Sequence, residues 1–169
     1  MTGVVPKSES DILFLAIAQE KEAYSHLAAA ARACSCPKAT RLYNQLALDE
    51  LKHLLTLVSV MDGLADDCLA DLDLTFPSGA PPDPLPQTEE SILGSAIAEE
   101  RRSRQLFEDL ARSVDREELL TILEMLRAEE EDHLVRLQSL LYGFEADRPV
   151  VAKWFRSIRR LVPMAPSHR

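Results

Sequence analysis

Glycine is scarce in this chain of 169 residues, which contains only 5 glycines. Long stretches are instead rich in Leu, Ala, Glu, Lys and Arg, with apolar residues at every third or fourth position, which is the period of an α-helix. Long apolar runs are absent from the sequence: the run near the start, ILFLAIA, has only seven residues. A cleaved signal peptide and a membrane-spanning helix are therefore both unexpected.

Cysteine is also rare: the three cysteines are Cys34, Cys36 and Cys68. An odd number of cysteines argues against a disulfide framework and predicts a reducing, cytoplasmic location. Cys34 and Cys36 could form a redox pair or half of a metal site, but no second cysteine pair completes four ligands. Basic residues are outnumbered, with 28 acids against 19 bases, so nucleic acid is not the expected partner.

The apolar period predicts an all-α protein with four main helices, near residues 9–34, 38–62, 89–113 and 116–142. Ser8 and Thr88 are candidate N-caps, Pro37 suits a first helical turn, and Asp115 can cap the fourth helix. Between the second and third helices, residues 63–88 contain five prolines from Pro77 to Pro86 and cannot form a continuous helix. We expect a crossover that runs the length of a four-helix bundle.

The two helix pairs are copies of each other. Shifting the sequence by 80 residues aligns residues 8–64 with 88–144 without a gap and gives 16 identities in 57 positions. A duplicated helical hairpin explains this match, with the second copy packed against the first. We predict one domain over residues 1–145 and a separate segment over 146–169.

Polar residues interrupt the apolar stripe of every helix. In the fourth helix the spacing of Leu123, Leu126, Leu137 and Leu140 places positions 130 and 133 in the core. Applied to all four helices, the same reasoning predicts six buried polar side chains: Glu20, Glu50, His53, Glu100, Glu130 and His133. The neighbouring acids are expected to form a solvated face, and contacts from some of them to the buried polar residues are left open: Asp49, Glu99, Glu129, Glu131 and Asp132. His26 and His168 lie off the pattern and are expected at the surface.

Four buried carboxylates would repel one another unless cations neutralised them. Two divalent ions carry the matching charge, and a Glu and a His separated by three positions on a helix can reach the same ion. Mixed carboxylate and imidazole ligands suit iron, manganese or zinc better than calcium. The sequence therefore predicts a buried dinuclear metal site.

The motifs AIAQEKEA (16–23) with DELKH (49–53), and AIAEERRS (96–103) with EEEDH (129–133), resemble the rubrerythrin branch of the ferritin-like di-iron carboxylate superfamily. The resemblance covers about residues 8–144. It implies that the six residues above bind two Fe ions, with Glu50 and Glu130 bridging them, and that the protein reacts with O₂ or H₂O₂ as a ferroxidase or a peroxide-reducing oxidoreductase. An external electron donor is then required for peroxidase activity, and a homodimer is expected.

Two departures from rubrerythrins are visible. The chain has no rubredoxin-like CxxC…CxxC site, and Ser103 stands where peroxidase-type rubrerythrins carry an extra glutamate one turn beyond the third-helix ligand. The six-residue set is closer to the centres of ferritins and bacterioferritins. The alternatives are a non-catalytic protein that sequesters or delivers metal, and a metal that only stabilises the bundle.

Residues 148–169 contain six bases and no acids, so the rest of the chain has a net charge near −15. Val151, Trp154, Phe155 and Ile158 belong to one apolar stripe and predict a short amphipathic helix. Three interpretations are open: a fifth helix that packs on the bundle or on a partner subunit, peripheral attachment to an anionic membrane, or docking to another protein.

Overall fold

A computed structural model of the chain describes residues 8–63, 72, 75 and 88–146, with side chains to residue 143. The described residues are all-helical. They form four helices: α1 (Glu9–Ala33), α2 (Pro37–Asp62), α3 (Glu89–Ala111) and α4 (Glu117–Ala146). None of these helices is apolar over a length that would cross a membrane. The predicted C-terminal helix and His168 lie outside the described residues, as does nearly all of the predicted crossover.

The helix starts follow the predicted capping residues. The Ser8 hydroxyl accepts a hydrogen bond from the Asp11 amide at 3.1 Å, and Thr88 forms a capping box with Ser91. Pro37 occupies the first turn of α2. The prediction for Asp115 was wrong, because Arg116 directly precedes the first residue of α4. α4 also continues to Ala146, four residues beyond its predicted end.

The helices pack as two antiparallel hairpins, α1 with α2 and α3 with α4, because short turns join the members of each pair. Between the hairpins, His26 contacts Ser95 and Gln19 contacts Ser103, so α1 and α3 run antiparallel. α2 and α4 also run antiparallel, and they pack less extensively than α1 and α3. The two hairpins are thus related by an approximate two-fold axis perpendicular to the bundle.

α3 begins beside the turn between α1 and α2, where Glu89 accepts hydrogen bonds from Cys34 and Ser35. α2 ends at the opposite end of the bundle. This relation between the two helix ends is the one that a crossover connection requires. Leu72, a described residue of the connection, packs against the core at the end where α2 stops.

The apolar core forms two clusters, one toward each end of the bundle. One cluster includes Leu27, Tyr43 and Leu137, and the other includes Ile17, Leu57 and Phe107. Along every helix, the predicted polar core positions fall between these clusters. The bundle therefore has a polar layer in its middle, sealed at both ends by close-packed apolar side chains.

Candidate metal centre

The polar layer consists of the six side chains that interrupt the apolar stripes. None of them is more than 3% exposed, and all four glutamates are fully buried. Each lies on the inner face because it continues the spacing of the leucines on either side. The layer comprises Glu20, Glu50, His53, Glu100, Glu130 and His133.

The six side chains form two overlapping groups, each with ligand atoms within 4.8 Å of one another. The first group joins Glu20 and His53 to the pair Glu50 and Glu130, and the second joins Glu100 and His133 to the same pair. Each group has one terminal carboxylate and one imidazole, and both share two carboxylates. The two groups therefore offer two positions that could hold a cation, and Glu50 and Glu130 belong to both. We call them the His53 position and the His133 position.

Each histidine turns Nδ1 toward the carboxylates. The Nδ1 atom of His53 lies 3.3 Å from Glu50 Oε2 and 3.6 Å from both Glu20 Oε2 and Glu130 Oε1. The Nδ1 atom of His133 lies 2.9 Å from Glu50 Oε1 and 3.2 Å from Glu100 Oε2. The two rings stack with their centroids 5.7 Å apart. A metal ion at either position would therefore be bound through Nδ1 of the histidine in that group.

Hydrogen bonding leaves most of these atoms unsatisfied. Within the described part of the chain, both carboxylate oxygens of Glu20, Glu50 and Glu130, one oxygen of Glu100 and Nδ1 of His53 are buried without a hydrogen-bond partner. Buried polar atoms of native proteins nearly always have partners, since each unsatisfied one costs about 1–3 kcal/mol. Eight such atoms in one buried layer fit a site that binds cations.

The carboxylates divide into two pairs by pKa. Burial raises the pKa of Glu20 and Glu100 well above that of an ordinary glutamate, although a histidine beside each lowers it in part. Burial also raises the pKa of the shared glutamates, Glu50 and Glu130, but the two adjacent histidines outweigh it and lower the pKa. In the free chain these shifts favour the protonated form of the terminal carboxylates and the ionised form of the shared pair.

Burial lowers the pKa of both histidines, but the surrounding carboxylates outweigh it. The net effect raises the pKa of His133 to about 12 and that of His53 further. In the free chain these shifts favour protons on two glutamates and two imidazoles, which would balance the buried charge. Two divalent cations supply the same positive charge as these protons, and Glu with His is the ligand set that suits iron, manganese or zinc.

Two of the acids expected on the solvated face, Glu129 and Asp49, also lie beside the outer nitrogens of the histidines. Glu129 Oε2 is 2.5 Å from His53 Nε2, although the Glu129 side chain is 49% exposed. Asp49, the residue 80 positions earlier, is partly buried and lies 4.0 Å from His133 Nε2. Position along one helix could not reveal these contacts, because each acid touches a histidine of the other hairpin. Glu131 and Asp132 are exposed, as predicted.

The prediction that Glu99 faces solvent was wrong, since this residue is only 1% exposed. Its carboxylate accepts a hydrogen bond from Gln19 Nε2 at 2.9 Å and pairs with Arg102. Gln19 also donates to the Ser103 hydroxyl at 2.9 Å. Packing of α1 on α3 buries this face of α3, and Ser103 is tied to Gln19 within that contact.

His26 was expected at the surface but is partly buried, with Nε2 3.0 Å from the Ser95 hydroxyl. Burial lowers its pKa, and the nearby Arg102 adds to this effect. Neither Cys34 nor Cys36 belongs to a group of described residues that could hold a metal. The Cys34 thiol instead donates to Glu89 Oε2 at 2.6 Å.

Comparisons with models of protein families, with curated proteins and with solved structures found no match to this chain.

Proposed function

We propose that this protein binds two iron ions in the buried polar layer and reacts with O₂ or H₂O₂, as a ferroxidase or a peroxide-reducing oxidoreductase of the ferritin-like type. Manganese or zinc would suit the same ligands. The observation that carries the proposal is the pair of overlapping ligand groups that share Glu50 and Glu130. A single cation would need only one group, whereas two groups with a common pair of carboxylates hold two cations close together.

The six residues of the polar layer would have different roles in holding the ions. Glu50 and Glu130 would bridge the ions, while Glu20 with His53 and Glu100 with His133 would complete one position each. Bound iron would supply the electrons for reduction of the oxidant. The apolar clusters at both ends exclude water from the layer, and they favour a small neutral oxidant over bulky or charged substrates.

The helix arrangement supports the ferritin-like part of the proposal. Two duplicated antiparallel hairpins, a connection between opposite ends of the bundle, and one Glu or one Glu-x-x-His on each helix are features of that class. The crossover would lie within the 26 residues between α2 and α3, 63–88. No other described part of the chain offers a comparable group of ligands.

Anaerobic titration of the metal-free full chain with Fe(II), followed by O₂ or H₂O₂, tests the proposal. We expect two irons to bind per chain and both to be oxidised. Glu130→Ala should weaken both positions, because Glu130 belongs to both groups. Glu131→Ala, a change of the exposed neighbour, should leave the stoichiometry unaltered. Failure to bind iron would refute the proposal, and tight binding of two ions without oxidation would favour metal sequestration or a structural role.

A further inference from the structure

We infer that the two metal positions are inequivalent, and that the His53 position exchanges metal with solvent through Glu129 while the His133 position retains its metal. This inference rests on the proposed metal site. The ligand sets are copies of each other, but the residues that separate them from solvent are not.

The α1 and α3 side of the bundle is closed to an approaching cation. Gln19 bridges the two helices by donating to both Glu99 and Ser103, and Arg102 pairs with Glu99 outside them. The exposed Glu22 lies near Glu99, but the Arg102 guanidinium offsets the charge of Glu99 and opposes the approach of a metal ion. The side formed by α2 and α4 is less extensively packed and is therefore the direction from which a metal ion enters. The carboxylates of Glu129 and Asp49 lie on this side.

Glu129 connects the His53 position to solvent. Its side chain is half exposed while its Oε2 atom touches the nearly buried Nε2 of His53. Within the described residues no lysine or arginine lies within ion-pair distance of Glu129, so rotation of its side chain into water breaks only the contact with His53. A carboxylate that reaches both water and the histidine can capture a hydrated cation and deliver it inward.

Asp49 is held in a different way. Lys52 binds its Oδ1 atom at 2.6 Å and Arg136 lies 3.4 Å from its Oδ2 atom. Asp49 is also shorter than Glu129 and stays 4.0 Å from His133 Nε2. The positive side chains of Lys52 and Arg136 thus neutralise the carboxylate that would otherwise attract a metal ion. The charge of Arg136 also opposes the approach of a metal ion. Exchange at the His133 position is consequently slow.

Extraction kinetics of the Co(II)-loaded full chain test the inference. Co(II) is the probe because its visible absorption reports ligand geometry, independently of any activity. Mixed with excess EDTA, the wild-type chain should lose its two ions in a fast and a slow phase of equal amplitude. Glu20→Gln removes a ligand of the His53 position alone and should remove the fast phase, whereas Glu100→Gln should remove the slow one.

The decisive variant is Glu129→Gln, which keeps an acceptor for His53 but removes the charge. It should slow the fast phase by about tenfold or more and leave the slow phase unchanged. Asp49→Asn is the matched control from the other hairpin and should leave the fast phase unchanged. Loss of both ions at one rate, or a fast phase insensitive to Glu129→Gln, would overturn the inference while two bound Co(II) ions would still support the dinuclear site. No Co(II) binding at all would refute both.

Discussion

Gln19 and Glu99 occupy the same position in the two hairpins, and the Gln19 side-chain amide donates a 2.9 Å hydrogen bond to the Glu99 carboxylate. Residues related by the duplication can touch only where the approximate two-fold axis passes between them. The next residue along each helix is a ligand, Glu20 or Glu100. This contact therefore fixes the level at which the two hairpins meet and brings their ligands to one height in the bundle.

Replacing Gln19 should weaken the fold. Gln19→Ala leaves the buried carboxylate of Glu99 and the Ser103 hydroxyl without their common donor. We expect the free energy of unfolding to fall by about 1–3 kcal/mol. Urea titration followed by circular dichroism measures it. Gln45→Ala, at an exposed position of α2, is the control. Equal effects of the two changes would show that the hydrogen bonds of Gln19 contribute nothing.

The terminal carboxylates should destabilise the metal-free chain. Burial raises the pKa of Glu20 and Glu100, so the protonated form favours folding, and stability is lost as pH rises above the unfolded-state pKa of about 4.3 toward the folded-state pKa. The double change Glu20→Gln and Glu100→Gln should raise the free energy of unfolding at pH 7 by about 1–4 kcal/mol.

The gain from the double change should vanish near pH 4, where glutamate in the unfolded chain is itself protonated. With metal bound at pH 7, the wild type should become more stable than the double variant. Binding of metal at one hundred times its Kd stabilises the wild type by about 2.7 kcal/mol per site, and the variant gains less because it lacks two ligands. Chemical denaturation of both proteins, with and without Zn(II), provides the four values. A wild type that is the more stable chain without metal would contradict the prediction.

Metal binding should release protons. The raised pKa values favour protons on the two histidines and on Glu20 and Glu100 in the free chain, whereas a cation binds the deprotonated ligands. Saturation with two Zn(II) ions at pH 7 should release about four protons per chain, and the affinity should fall as pH decreases. A pH indicator in weak buffer measures the release. Glu131→Gln should release the same number, while uptake of Zn(II) without protons would disagree with the described charge balance.

The thiol of Cys34 should react slowly. Burial and the hydrogen bond to Glu89 raise the pKa of Cys34 to about 11. The neutral thiol is favoured by folding, so its contribution to stability is present below the unfolded thiol pKa and is lost as pH rises through about 11. In a chain with Cys36 and Cys68 changed to Ser, the alkylation rate should still rise tenfold per pH unit between about pH 8 and 10.

Two comparisons complete the test of Cys34. In urea, the alkylation rate of the same chain should stop rising with pH near the ordinary thiol pKa of about 8.5. Glu89→Gln should lower the pKa of the folded thiol, because it removes the neighbouring negative charge, yet leave it above the ordinary value. If the alkylation rate of the folded chain stopped rising at the same pH as that of the unfolded chain, the prediction of a raised pKa for Cys34 would be wrong.

Helical periodicity was sufficient to predict the four helices and the burial of the six polar residues. The direction of a side chain from its own helix depends only on its position in the sequence, so Glu130 and His133 follow from the leucines around them. The 80-residue repeat extended the same reasoning to Glu50 and His53. The helix starts at Ser8, Pro37 and Thr88 could also be predicted, because capping depends on local hydrogen bonds.

Periodicity gave the wrong answer for Glu99 and an incomplete one for Glu129. Both lie at the margin of their helix's inner face, where burial depends on how closely the neighbouring helix packs. α1 lies close enough to α3 to cover Glu99, whereas α2 and α4 leave Glu129 half exposed. Interhelical distance has no signature in one helix's sequence, although the acid at the matching position 49 could have suggested a common role.

The sequence by itself determined which side chains enter the core, because the helical period and the duplication are properties of the chain. Only the tertiary structure decided how these side chains meet: that Glu50 and Glu130 belong to both ligand groups, and that the histidines present Nδ1 to them. It also decided that no lysine or arginine among the described residues pairs with Glu129, while Lys52 and Arg136 both pair with Asp49. These relations join residues of different helices, so they depend on the packing of one hairpin against the other.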